Sequence, residues 1–221
     1  MKGYIYFLFL TLSIISFSQD ITISAAASLK EYLEKNITDY KKLHPEINFF
    51  LNLGGSGTLK KQIEQGAPCD IIFLANSDYV ESLEKNGFVE NKQNILENKL
   101  VLIENKNISN NNLLAMGNPN FVPAGKYSQE VLNNISLPFN YEPIYTKDVR
   151  AALNYVEIGE VKYGIVYLSD TKLLKNSEVI TIFNSKYHSP IIYPAAVLKN
   201  SKNKKIALNF INFLKDKDWN E

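Results

Sequence analysis

The chain has 221 residues, 24 Lys and Arg against 23 Asp and Glu, and 45% hydrophobic side chains, enough for one large domain or two small ones with real cores. The near-balanced charge, with Lys and Glu alternating along the helices, excludes a basic face for nucleic acid. One cysteine, Cys69, and two histidines, His44 and His188, exclude a disulfide framework, a zinc ribbon and a Cys-ligated cluster, and leave little for a His-based metal site.

The chain opens as an export signal. Lys2 supplies the positive start, Tyr4 to Phe17 is an apolar run short for a membrane span, and Ser16-Phe17-Ser18 places small residues before Gln19. Residues 1–18 are therefore expected to be removed, leaving an exported, periplasmic, formally neutral protein.

Ile21 to Ser24 reads as a strand. Ser28 with Glu31 forms a capping-box pattern, and Leu29, Leu33, Ile37 and Tyr40 recur at helical spacing until His44-Pro45. Ile47 to Leu53 is the next strand, Gly54 to Gly57 a tight turn, and Thr58 to Gly66 a helix with its C-terminal glycine. A strand at Asp70 to Ala75 and a helix at Asp78 to Asn86 follow. This β-α rhythm predicts a parallel sheet covered by helices on both faces.

Leu100 to Glu104 is strand-like, and a polar Asn-rich segment follows at 105–112. The pattern then restarts with a strand at 113–116, a turn from Gly117 to Gly125, and helices at 126–134 and 147–158. Strands are expected at Tyr163 to Tyr167, Val179 to Phe183 and Tyr193 to Leu198, and a last amphipathic helix at Lys204 to Lys215. Two α/β units fit this better than one sheet.

A repeated feature carries the chemistry: a strand, then a loop of small or hydroxyl residues, then a helix N-terminus. It occurs at Ala27-Ser28, Gly55-Ser56-Gly57-Thr58, Pro123-Ala124-Gly125 and Thr146 to Val149. Such loops lie beyond the carboxyl ends of strands, where α/β proteins bind ligands, and the free N–H groups of helix starts favour anions. Each loop also has a plainer reading, with Ser28 as an ordinary N-cap and Gly-Ser-Gly-Thr as a turn.

Enzyme signatures are missing. Gly54 to Thr58 lacks a P-loop lysine, no G-x-S-x-G occurs, and neither histidine sits in a triad context. Asp70 and Asp148 could serve as acid and base, although isolated carboxylates mostly cap helices or loops. Cys69, before Ile71-Ile72-Phe73, reads as a small buried residue.

Five segments in order resemble the periplasmic molybdate-binding proteins of ABC transporters. They are Ile21 to Leu29, Thr58 to Asp70, Gly117-Asn118-Pro119 with Val122 to Tyr127, Asp148-Val149-Arg150, and Gly164 to Asp170. The resemblance spans residues 20–200 and implies an α/β fold of the type II periplasmic binding protein class, with two lobes and a ligand cleft between them. It implies lobe I at 19–100 and 190–221 and lobe II at 101–189. It also implies a molybdate or tungstate ligand, no cofactor, no catalysis, an ABC transporter permease as partner, and a monomer.

Carried over residue by residue, the oxyanion contacts fall on the hydroxyls of Ser28, Ser56 and Tyr167 and on the main-chain N–H groups of Ala124 and Val149. Arg150 is expected to pair a carboxylate rather than face the cleft. The alternatives are a binder of another oxyanion such as sulfate, or a hydrolase or transferase using the same loops.

Overall fold

The computed structural model describes residues 19–109, 111–215, 217 and 219. The export segment expected at 1–18 lies outside the described residues. From Gln19 the order is β1 (Gln19–Ala26), α1 (Lys30–Leu43), β2 (Ile47–Gly54), α2 (Ser56–Glu64), β3 (Ile71–Phe73), α3 (Ser77–Lys85) and β4 (Val89–Asn98). Then come β5 (Leu100–Glu104), β6 (Leu113–Gly117), α4 (Pro123–Asn134), β7 (Glu142–Thr146), α5 (Val149–Glu157), β8 (Tyr163–Tyr167) and β9 (Glu178–Ile182). β10 (Ile191–Leu198) and α6 (Lys204–Leu214) complete the chain.

The strands form two five-stranded sheets, in the order β2-β1-β3-β10-β4 and β7-β6-β8-β5-β9. The chain passes from the first to the second at Lys99 and returns over 183–190. This is the expected α/β fold of two lobes. Both sheets are mixed, which corrects the expectation of parallel pairing throughout. β1 pairs in parallel with β2 and β3, but β10 runs antiparallel to β3 and β4. β6 is likewise parallel to β7 and β8, while β5 is antiparallel to β8 and β9.

Burial explains which strands were legible. Tyr163 to Tyr167 and Leu100 to Ile103 are buried at every position, the continuous apolar runs of strands covered on both faces. β4 and β7 were not expected at all. Both lie at sheet edges, where Val89-Glu90-Asn91-Lys92 and Glu142-Pro143 need bury little, and where a proline costs no ladder bond.

Candidate anion-binding site

The ends of β1, β2 and β3 meet those of β6, β7 and β8 across a narrow cavity of about 10 Å³. All five nominated residues, Ser28, Ser56, Ala124, Val149 and Tyr167, line it. Three α-helices start at its wall. Ser56 is the first residue of α2, Ala124 the second of α4 behind Pro123, and Val149 the first of α5. The main-chain N–H groups of Ala124 and Val149 therefore have no acceptor within their own helices. Helix starts also carry the positive end of the dipole.

Two of the three hydroxyls, those of Ser56 and Tyr167, have a proton free for the cavity. Ser56 Oγ accepts the Ala75 N–H at 3.0 Å, which leaves its own proton available. Ser28 Oγ lies 3.0 Å from Tyr193 Oη. Tyr167 Oη is buried, and among the described residues no partner stands in hydrogen-bond geometry to it. Burial holds the Tyr167 hydroxyl well above its ordinary pKa, so it keeps its proton. A buried hydroxyl left unpaired costs about 1–3 kcal/mol, and a ligand oxygen in the cavity would remove that cost.

Among the described residues, no Lys or Arg lines the cavity. Asp148 lines it, but its Oδ1 accepts the Ala151 N–H at 2.8 Å as the N-cap of α5. Among the described residues, no group of three or more His, Cys, Asp or Glu could hold a bare metal ion. The site is a set of neutral donors suited to an anion.

Arg150 stands behind this wall. Its Nε lies 3.0 Å from Asp170 Oδ1, while its Nη atoms donate to Glu31 and, at 3.3 Å, to the Ser28 carbonyl. Asp170 Oδ2 in turn accepts the Tyr167 N–H at 3.2 Å. Burial raises the Asp170 carboxyl to about 6, and the Arg150 guanidinium opposes that rise. The expectation that Arg150 pairs a carboxylate is met twice, by Glu31 and by Asp170.

The lobes are closed on each other. Gly57 donates its N–H to the Phe121 carbonyl at 3.2 Å, and a Cβ on Gly57 would stand 2.3 Å from that oxygen. Glycine here lets two backbones touch across the cleft. Tyr127, from α4, accepts from Asn76 Nδ2 at 3.1 Å and donates to the Ala75 carbonyl at 3.3 Å. Lys126 and Asp78 add an exposed ion pair at 2.8 Å.

Several local expectations are corrected. Ser28 forms no capping box: it lies in a short 3₁₀ turn (Ala27–Leu29), α1 has no side-chain cap, and Glu31 reaches Arg150 instead. α2 and α4 begin at Ser56 and Pro123, earlier than expected, so the cavity loops are shorter. Asp70 is not brought to Asp148; it holds the Thr22 N–H and Ser201 away from the cavity. Cys69 is half-buried rather than buried, with its thiol on the Ile71 carbonyl at 3.0 Å and pushed up to about 11, chiefly by burial.

Sequence reasoning missed the hydrogen bonds that Tyr193 and Asn98 make behind Ser28 and that Asn76 and Tyr127 make across the cleft. A tyrosine inside the apolar run Ile191 to Leu198 was the available signal, because a buried hydroxyl there needs a partner.

The family described as bacterial extracellular solute-binding protein matches residues 21–220. The molybdate-binding protein ModA of Haemophilus influenzae is 33% identical over 205 residues, covering 84% of this chain and 81% of that protein. A substrate-binding domain from Clostridium difficile is similar in structure with a TM-score of 0.70 and 36% identity, covering 90% of this chain and 93% of that one. The periplasmic molybdate-binding protein of Azotobacter vinelandii shares the fold, with a TM-score of 0.79 at 21% identity, covering 89% and 93%.

Proposed function

The chain belongs to the bacterial extracellular solute-binding protein family, and from that premise we propose that it captures molybdate or tungstate between its lobes and presents the ion to the permease of an ABC transporter. The observation that carries this reading is the buried Tyr167 hydroxyl, which has no partner in hydrogen-bond geometry among the described residues and stands at a cavity walled by three helix starts. In this reading Ser28, Ser56 and Tyr167 donate through their hydroxyls, and Ala124 and Val149 through their main-chain N–H groups. The two bodies that close are 19–100 with 190–221, and 101–189. The protein acts as a monomer in the periplasm after loss of residues 1–18.

Neutral donors suit this task. A lysine or arginine aimed into the cavity would add attraction, but its charge would be buried and unpaired whenever the lobes closed without an ion. A hydroxyl or N–H carries no such penalty, and each hydrogen bond to a charged acceptor contributes about 1.5–3 kcal/mol. The helix starts add a field favouring negative charge that costs nothing to orient at the moment of binding.

Calorimetric titration of the mature protein with molybdate, tungstate, sulfate and phosphate tests the reading. Tight one-to-one binding of molybdate and tungstate, with sulfate and phosphate far weaker, is expected. Preference for sulfate or phosphate, or no binding of any of the four, would overturn it.

A further inference from the structure

We propose that Tyr193 and Asn98 are positioning residues that lock the Ser28 hydroxyl as a donor, and so restrict the site to oxyanions that carry no proton. The inference rests on the anion-binding reading above and adds the device that sets its selectivity.

Asn98 stands at the end of β4, just before the chain crosses between the sheets at Lys99. Its Oδ1 accepts the N–H of Lys99 at 2.9 Å and of Ser169 at 3.3 Å. Two backbone donors on one oxygen settle which way the amide points, so Nδ2 must face the other side. There it donates to Ser169 Oγ at 2.9 Å and to Tyr193 Oη at 3.2 Å.

Tyr193 has no exposed surface, and its hydroxyl holds one proton. Asn98 Nδ2 offers no lone pair to receive that proton. Two hydroxyl oxygens neighbour it among the described residues, Ser28 Oγ at 3.0 Å and that of Tyr167, and of these the Ser28 contact has hydrogen-bond geometry. The relay therefore runs in one direction, from Asn98 to Tyr193 to Ser28. Ser28, having accepted from Tyr193, turns its own proton toward the cavity it lines. Hydrogen bonds in such a chain polarise one another, which makes the last donor stronger.

The consequence is chemical. Ser56 is held in the same sense by the Ala75 N–H, so both serines face the cavity as donors. Phosphate keeps at least one proton at neutral pH, and that O–H would meet donors rather than acceptors. Molybdate, tungstate and sulfate have no proton to place. Size then separates sulfate from molybdate, while the relay separates sulfate from phosphate, which is nearly its equal in size.

The test compares the parent with Tyr193→Phe, Asn98→Asp and Ser28→Ala. Each is titrated with molybdate, then competed with sulfate and phosphate in mildly alkaline buffer where both are dianions. Tyr193→Phe keeps the ring and removes the relay, and molybdate affinity should fall about three- to tenfold. Asn98→Asp places an acceptor where Nδ2 was, so Tyr193 would turn away and take the Ser28 proton. Phosphate should then gain on sulfate in competition, a change that added negative charge alone would not produce.

Parent-like molybdate affinity in Tyr193→Phe, with Ser28→Ala impaired, would overturn the relay and leave the site intact. Parent-like affinity in Ser28→Ala would instead sink the site assignment itself. If Tyr193→Phe does not fold, an unchanged sulfate-to-phosphate ratio in Asn98→Asp overturns the proposal.

Discussion

At the scale of single residues, the cavity is defined by which atoms have a proton to give. Ser28→Ala and Ser56→Ala should each weaken molybdate binding by about 1.5–3 kcal/mol, the range for a bond to a charged acceptor. Neither should unfold the protein, because Ser28 caps no helix and Ser56 loses one bond, to the Ala75 N–H. Calorimetry of the variants checks this, and parent-like binding in both would refute the two assignments. Asp170 makes a separate prediction. Its carboxyl is raised from the ordinary 3.8 to about 6, so between those values the folded state holds the proton more tightly than the unfolded one. Its contribution to stability is therefore complete below about pH 4 and is lost as the pH rises through about 6. Measured by denaturant unfolding, the parent should lose stability relative to Asp170→Asn across that window, and a constant difference would contradict it. The loops of the cavity could be read from the sequence because small and hydroxyl residues at strand ends stand out, while the five positions within them, Tyr167 above all, came from the family resemblance. Tyr193 stands out only as a hydroxyl in an apolar run; its pairing with Ser28 could not be read, because the two are 165 residues apart and no local pattern joins them.

At the scale of elements, the site depends on where helices begin. Capping rules predicted that helices would start near the four loops, but placed α2 and α4 two to three residues late. Gly57 and Pro123-Ala124-Gly125 look like turn residues by composition, yet they form first turns here because tight packing needs them. Gly125 shows why: a Cβ there would lie 2.0 Å from the Gly117 carbonyl oxygen, where α4 meets the end of β6. Gly125→Ala should therefore force the helix off the strand and cost about 1–3 kcal/mol, the usual range for overpacking. It would also shift the Ala124 N–H, so thermal melting and molybdate affinity should fall together; a parent-like melt would refute the packing argument. The buried strands and the helices with strong apolar faces were legible. The edge strands β4 and β7 were not, since half-exposed backbone pairing leaves only a faint mark on side-chain pattern.

At the scale of the whole molecule, donors from both lobes face one cavity, and the chain links those lobes at Lys99 and over 183–190. A bound ion must therefore favour the closed arrangement, in which Gly57 meets Phe121, Tyr127 meets Ala75 and Arg150 meets Glu31. Small-angle scattering should show a smaller radius of gyration with molybdate than without, and an identical radius would argue against closure as the response to ligand. The α/β rhythm announced two units, but not that each sheet would be mixed. That depends on β10 returning to the first sheet from beyond the second, and on β5 pairing antiparallel with the later strands β8 and β9, long-range pairings that leave no local trace. If one oxyanion sits between the lobes, held by Ser28, Ser56, Ala124, Val149 and Tyr167, a crystal of the mature protein grown with molybdate and measured at the molybdenum absorption edge will show it directly. One strong anomalous peak is expected within hydrogen-bonding reach of those five residues through the ion's oxygens. A peak elsewhere on the protein, with none in the cavity, would contradict it.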